Sequence, residues 1–160
     1  MIIRKEREDD RLAVREIHRL AFSGDAEGKL VDDLRDSGDA AISLVAEQEG
    51  QIVGHVLFSK LEAPMRALAL APVGVEPSFQ MRGIGSALIR EGLACALNED
   101  WEAIFVLGAP DYYERFGFDV AAARAYGCPY SGEHFMVRFM GTGKMPEGRL
   151  VYPTAFGALG

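Results

Sequence analysis

Residues 73–88 read Val73-Gly-Val-Glu-Pro-Ser-Phe-Gln-Met-Arg-Gly-Ile-Gly-Ser-Ala-Leu88 and join a predicted β-strand to a predicted α-helix. Gly83 and Gly85 stand where the helix begins. Glycine has no Cβ to keep a ligand from the backbone, and the first N–H groups of a helix have no partner within it. Because the helix dipole is positive at that end, these groups favour a phosphate or pyrophosphate, and Arg82 adds a positive charge at the rim.

Two common phosphate-binding motifs do not fit this turn. A dinucleotide fingerprint requires G-x-G-x-x-[GA], but the third position is Leu88, and residues 77–80 separate the strand from the glycines. A P-loop requires G-x-x-x-x-G-K-[ST], but the Gly143-Lys144 pair is followed by Met145. The pattern that remains is Q-x-x-G-x-G. Such a turn also allows a helix to pack closely on a sheet, and this structural role is compatible with a phosphate site.

A second pattern follows after one further predicted strand, in Leu107-Gly-Ala-Pro-Asp-Tyr-Tyr-Glu-Arg-Phe-Gly-Phe118. Together with Q-x-x-G-x-G from Gln80 to Gly85, it resembles the GNAT superfamily of acetyl-CoA-dependent N-acetyltransferases, in a bacterial branch of predicted small acetyltransferases. The resemblance covers about residues 2–140. It implies an α/β (α+β) fold with a mixed, mainly antiparallel central sheet flanked by helices.

The apolar pattern along the chain predicts strands interspersed with helices. The runs Ile42–Glu47 and Gln51–Ser59, joined by Glu49-Gly50, predict a hairpin. The run Arg66–Val75 is short of polar residues, which predicts a central strand. Further strands are predicted at 2–4, 103–107 and 134–139, and helices at 9–22, around 30–37, at 83–98 and at 111–115. The tail from residue 141 is predicted to be irregular.

The first helix carries an apolar stripe at helical spacing, namely Leu12, Val14, Ile17, Leu20 and Ala21. His18 lies on the same helix, far in sequence from either motif. His55 shares a predicted strand face with Leu57 and Ser59, which favours a half-buried histidine with its hydrogen bonds satisfied.

Length and composition predict one domain over residues 1–160. The chain has a mass of 17.5 kDa and 49% apolar residues, enough for a full-sized core. Cys95 and Cys128 are too few for a disulfide framework and lack metal-ligand spacing, so no metal is predicted. The formal charge of −7 disfavours nucleic acid as a partner. The absence of a secretion signal or a membrane-spanning stretch predicts a cytoplasmic protein with no membrane partner.

The resemblance implies how acetyl-CoA would be bound. The backbone of Val73, Gly74 and Val75 would pair with the pantetheine arm as though it were another strand. Gln80 opens the pyrophosphate motif. The backbone amides that would hold the pyrophosphate are those of Met81, Arg82, Gly83, Ile84, Gly85 and Ser86.

The resemblance also implies two catalytic groups. The N–H of Val73 would stabilise the oxyanion that forms from the thioester carbonyl. Tyr113, five residues before Phe118, would be the general acid that protonates the departing thiolate. An aromatic core anchor is the alternative role for Tyr113, and its neighbour Tyr112 leaves the register open by one residue. Many family members carry Asn just after the buried strand, where this chain has Gly108-Ala-Pro-Asp.

No motif selects a general base among the acids and histidines. Glu133, just before the last predicted strand, is the favoured candidate, and a solvated surface position is its alternative role. The other candidates are Glu47, His55, Glu62 and His134. The resemblance implies that the first two helices and the loop at 23–29 border the acceptor, which is a small-molecule amine or a protein amine. Dimers are common in the family, so a homodimer is also compatible.

The sequence therefore predicts an N-acetyltransferase that moves an acetyl group from acetyl-CoA to a primary amine by direct attack in a ternary complex. No metal is needed for this chemistry. The alternative is a non-catalytic coenzyme A or acyl-CoA sensor or assembly module. The length of the donor's acyl chain stays open.

Overall fold

A computed structural model of the chain describes residues 1–159 and contains a six-stranded main sheet. The strands in chain order are β1 (Ile2–Lys5), β2 (Ala40–Gln48), β3 (Gln51–Leu61), β4 (Ala67–Val75), β5 (Ala103–Leu107), β6 (Tyr126–Gly127), β7 (Phe135–Phe139) and β8 (Gly148–Arg149). The main sheet has the spatial order β1-β2-β3-β4-β5-β7, and only β4 and β5 pair in parallel. This arrangement confirms the predicted α/β (α+β) fold with a mainly antiparallel sheet.

Helices cover both faces of this sheet. They are α1 (Arg11–Phe22), α2 (Ala26–Asp36), α3 (Ile84–Asn98), α4 (Pro110–Tyr113) and α5 (Val120–Ala123). On one face, α3 buries Ile84, Leu88 and Ile89 against the sheet. On the other face, Val14 of α1 and Leu30 of α2 belong to a second buried cluster. The sheet is therefore the middle layer of three, which explains why β4 has so few polar residues.

The predicted hairpin is confirmed and has a tight turn. Glu49 and Gly50 have φ values of 51° and 77°, and they link β2 directly to β3. Two central residues with positive φ match the right-handed twist of paired strands, which is why Gly is favoured there.

The prediction that Leu12 belongs to the apolar stripe of α1 is wrong. Leu12 is 86% exposed, whereas Val14, Ile17 and His18 are buried at positions i, i+3 and i+4. Each residue turns a helix by about 100°, so Leu12 lies about 200° from Val14 and faces solvent. The buried stripe contains a histidine that the apolar pattern did not include.

The tail from residue 141 contains more regular structure than predicted. Strand β8 pairs in parallel with β6, and a 3-10 helix spans Thr154–Leu159. Leu150 and Phe156 are buried in the cluster that contains Leu30 of α2. Elements this short show no periodicity, so the sequence pattern could not reveal them.

An irregularity in β4 opens the sheet in its middle. The register pairs Val73 with Val56 and then Leu70 with Phe58, so residues 71 and 72 of β4 oppose the single residue 57 of β3. This bulge bends β4. Strands β4 and β5 pair only over Ala67–Ala69 and then separate. The opening between the two strand ends is where the candidate site lies.

Candidate active site

At the end of β4, backbone N–H and C=O groups point into this opening. The N–H of Glu76 donates to the Val53 carbonyl at 2.9 Å, and the register continues without a break through Gly74. Because hydrogen-bonded residues alternate along an antiparallel pair, Gly74 bonds to β3, while Val73 and Val75 direct their N–H and C=O groups away from β3. Strand β5 has already separated there, so the N–H of Val73 points into the opening.

The turn after β4 is held by a side chain and by left-handed backbone. The Gln80 amide donates from Nε2 to the Val75 carbonyl at 3.0 Å, which ties the turn back to the strand. Met81 and Gly83 have φ values of 65° and 80°, and the Met81 side chain is fully exposed. Left-handed conformation is costly for a residue with a Cβ, so the turn stores strain at Met81.

The amino-terminal end of α3 offers unpaired donors. Gly83 is the N-cap residue and provides no side-chain cap. The N–H of Ala87 donates to the Gly83 carbonyl at 3.0 Å, so the N–H groups of Ile84, Gly85 and Ser86 precede the first helical hydrogen bond. These donors and the helix dipole fit a pyrophosphate, as the sequence predicted for this turn.

The two adjacent tyrosines point to different surroundings. The Tyr112 hydroxyl lies 3.3 Å from the Ser86 hydroxyl, at the start of α3. Tyr113 instead lines a cavity together with Val73. A Cβ at Gly108 would lie 2.4 Å from Cε2 of Tyr113, so a side chain at position 108 would displace the ring. The absence of a side chain at Gly108 thus leaves room for the Tyr113 ring.

Burial keeps the Tyr113 hydroxyl protonated. Loss of solvent, with a smaller contribution from Tyr112, raises the pKa of Tyr113 to about 12. At neutral pH the hydroxyl therefore carries its proton and is available to donate a hydrogen bond to a thiolate that forms beside it.

The cavity has a volume of about 380 Å³ and lies at the opening between β4 and β5. Its apolar floor comes from these strands. Phe22 and Glu27 line it from α1 and α2, and three aromatic residues, Tyr130, Tyr152 and Phe156, line it from the carboxyl-terminal part of the chain. Among the described lining residues, Glu27 is the charged one. The combination is a mainly apolar pocket with one carboxylate.

The base candidates chosen from the sequence do not line this cavity. Glu133 is exposed and lines a different depression of about 270 Å³ with Val120 and Arg124. Sequence reasoning missed Glu27 because no motif surrounds it. The only signal was the resemblance, which implied that residues 23–29 border the acceptor. The remaining candidates are an ion-paired Glu47, an exposed Glu62, an exposed His134 and a buried His55.

His18 and His55 form a buried pair that the sequence did not predict. Nε2 of His18 lies 2.7 Å from Nδ1 of His55, and Nε2 of His55 lies 2.8 Å from the Ser43 hydroxyl. The Ser43 hydroxyl donates to the Glu6 carboxylate at 2.8 Å, and Glu6 is ion-paired with Arg35. A carboxylate only accepts hydrogen bonds, so the Ser43 hydroxyl donates to Glu6 and accepts from Nε2–H of His55. Nδ1 of the neutral His55 ring then accepts from Nε2–H of His18, which leaves Nδ1 of His18 without a proton.

The histidine pair packs against β4 on the face of the sheet that α1 covers. Burial lowers the pKa of His18 to about 4, and burial together with His18 and Arg35 lowers the pKa of His55 well below its usual value. Both rings are therefore neutral at pH 7. A Cβ at Gly74 would lie 2.7 Å from Nδ1 of His18, so the ring rests directly on the strand beside Val73.

Within residues 1–159 there is no cluster of three or more His, Cys, Asp or Glu side chains able to hold a metal ion. The same residues include no helix with the length and apolar character required to cross a membrane.

Comparison with known proteins agrees with this geometry. Residues 11–118 match the Acetyltransferase (GNAT) family. The chain is 37% identical over 137 residues to the uncharacterized N-acetyltransferase YhbS of Escherichia coli K12, covering 82% of this chain and 81% of YhbS.

Two solved structures have the same fold. The complex of Escherichia coli YhbS with CoA has a TM-score of 0.90 and 31% identity, over 99% of this chain and 93% of that one. A GNAT family acetyltransferase from Brucella melitensis in complex with acetyl-CoA has a TM-score of 0.82 and 36% identity, over 97% of both chains. This chain belongs to the GNAT family of acetyltransferases.

Proposed function

We propose that residues 1–160 form a single N-acetyltransferase domain that transfers the acetyl group of acetyl-CoA to a primary amine by direct attack in a ternary complex. The observation that carries the proposal is that Val73 and Tyr113 line one cavity, while the unpaired N–H groups of α3 begin beside Val75, at the end of the same strand. Similar chains from Escherichia coli and Brucella melitensis contain CoA and acetyl-CoA, which supports this donor.

The donor side uses backbone groups. Val73 has an N–H and a C=O, and Val75 an N–H, that face away from β3, and a pantetheine amide pairs with these groups as a strand partner. The N–H groups of residues 81–86 donate hydrogen bonds to the pyrophosphate oxygens, and Gly83 allows the left-handed turn that brings these donors together. Gln80 does not need to touch the ligand, because its amide is used to hold Val75.

Bound acetyl-CoA supplies the acetyl group as an activated thioester. The Val73 N–H donates to the carbonyl oxygen as negative charge develops there, a contribution of about 3 kcal/mol for one well-placed donor. The amine nitrogen forms a bond to the acetyl carbon, the carbon–sulfur bond breaks, and the nitrogen loses one proton to solvent to give the neutral amide. Tyr113 donates its proton to the leaving sulfur and regains one from solvent.

The acceptor amine has to lose its extra proton before it attacks, since an alkylammonium has a pKa of about 10.4. Glu27 is the carboxylate that lines the cavity, and we propose that it takes this proton, directly or through water. The sequence favoured Glu133, but its position in another depression gives that role no support.

The test is to measure thiol release from acetyl-CoA with a panel of primary amines, using wild type and Tyr113→Phe. We expect Tyr113→Phe to lower kcat by about a hundredfold while CoA affinity stays within twofold, because only the transferable proton is lost.

The matched control is Tyr126→Phe, which removes a hydroxyl that donates to the Pro146 carbonyl at 2.8 Å and leaves the ring in place. We expect it to retain wild-type turnover. CoA binding without turnover on any amine would favour the sensor alternative, and absence of CoA binding would contradict both functions.

A further inference from the structure

We propose that the acceptor is a small monoamine with an apolar or aromatic body, held by Glu27 at its ammonium group and by Tyr130, Tyr152 and Phe156 at its body. This inference rests on the proposed function and specifies its substrate. It is argued from the charge, the walls and the size of the cavity.

The charge of the cavity matches one ammonium group. Glu27 is the charged residue among its described lining residues, and none of the ion pairs formed within residues 1–159 involves Glu27. A second cationic group of a diamine or polyamine would have no carboxylate opposite it in the pocket and would lose its hydration without compensation. The single carboxylate of the cavity therefore favours an acceptor with a single ammonium group.

Three aromatic rings form a continuous wall. The ring centroids of Tyr130 and Tyr152 are 4.7 Å apart, and those of Tyr152 and Phe156 are 5.1 Å apart, both in edge-to-face arrangement. The Tyr130 hydroxyl donates to the Phe156 carbonyl at 3.5 Å, which joins the wall to the tail. Such a wall makes extensive contact with a flat or apolar group and gives a polar chain few hydrogen-bond partners.

The volume restricts the acceptor further. A cavity of about 380 Å³ is near the lower end of ligand pockets, and both the acetyl end of the donor and the acceptor have to share it. The carboxyl-terminal segment that carries Tyr152 and Phe156 covers it from one side. An amine at the end of a folded polypeptide is a poor fit to a space of this kind.

The experiment compares acceptors and variants at saturating acetyl-CoA. The acceptors are 2-phenylethylamine, ethanolamine, 1,5-diaminopentane and a tripeptide with a free amino terminus. We expect kcat/KM for 2-phenylethylamine to exceed that of each other amine by about tenfold or more, which corresponds to burying one ring against the wall.

Two variants separate the roles of charge and wall. Glu27→Gln should raise the KM for 2-phenylethylamine by about tenfold or more and, because Glu27 is also the proposed base, lower kcat, while the Kd for CoA is unchanged. The exposed helical Glu91→Gln is the matched control. Tyr152→Leu should lower kcat/KM for 2-phenylethylamine by about tenfold and lower that for ethanolamine much less, so that the preference between the two amines is reduced. Tyr126→Phe, which lies outside the cavity lining, should keep the wild-type preference.

The outcomes distinguish this inference from the proposed function. If thiol is released but ethanolamine, the diamine or the tripeptide is the best acceptor, the acceptor class proposed here is wrong and the acetyltransferase remains. The same holds if Glu27→Gln and Glu91→Gln behave alike. If no amine releases thiol and CoA does not bind, the proposed function itself fails.

Discussion

The lack of a side chain at Gly108 determines where the ring of Tyr113, the candidate general acid, lies. The Tyr113 ring occupies the space that a Cβ at position 108 would need, and from there the ring faces the cavity beside Val73. The neighbouring Tyr112 is instead directed to Ser86 at the start of α3. A difference of one residue in sequence thus separates a ring that lines the cavity from one that lies at the start of α3.

The residue-scale prediction concerns Gly108→Asn, which adds a side chain next to Tyr113. The new Cβ would meet the Tyr113 ring at 2.4 Å, so the ring has to move and its hydroxyl leaves the place that the proposed mechanism requires. We expect kcat to fall by about tenfold or more with CoA affinity nearly unchanged. Gly141→Asn is the control, because open space surrounds Gly141. Unchanged turnover in Gly108→Asn would show that the ring position does not matter.

Two elements define the donor side, namely the end of β4 and the start of α3. The bulge in β4 separates it from β5 and frees the N–H groups of Val73 and Val75. The left-handed Gly83 turns the chain so that α3 begins with three unpaired N–H groups next to that strand. In the proposed function, backbone groups bind the donor at both places, so the conformation of the chain matters more there than side-chain identity.

The element-scale prediction compares Gly83→Val with Gly38→Val. Both glycines have nearly the same φ, 80° and 79°, and both have open space where a Cβ would stand. A β-branched residue is strained in this conformation, so each variant should lower the free energy of unfolding by roughly 1–3 kcal/mol. Only Gly83→Val should also weaken CoA binding, by about tenfold or more in calorimetry. Equal CoA affinity in the two variants would argue against an anion site at α3.

At the scale of the whole molecule, the His18–His55 pair joins distant parts of the chain. Helix α1, strands β2 and β3 and the segment after β1 all contribute to this series of hydrogen bonds, which ends at Glu6 and Arg35. The pair also contacts Gly74, so the same buried histidines stabilise the fold and support the strand that carries Val73.

The whole-molecule prediction is a loss of stability in mild acid. The pKa of His18 is lowered to about 4 in the folded state, against about 6.5 when unfolded, and that of His55 is lowered as well. Between these pH values the unfolded state binds more protons, so the free energy of unfolding falls as pH decreases. His18 alone accounts for roughly 3 kcal/mol over this range.

Urea denaturation between pH 7.5 and 5 measures this effect. The exposed His134 is the control, and His134→Gln should follow the wild-type pH dependence. A free energy of unfolding that stays constant from pH 7 to 5 would contradict neutral burial of the pair.

Much of the fold could be predicted because local patterns specify it. The hairpin at Glu49-Gly50, the apolar β5 and the glycine-led start of α3 are set by residues close together in the chain, and each was confirmed. The two motifs also indicated the family, since both are continuous in sequence.

Only the tertiary structure determines which residues come together at the opening between β4 and β5. Glu27 reaches the cavity because α2 packs on the sheet beside β4, and Tyr152 reaches it because the tail returns to the same place. His18 and His55 are 37 residues apart and meet across α1 and β3. A sequence determines periodicity and turns through neighbouring residues, whereas contacts of this kind depend on how separate elements bury their apolar faces together.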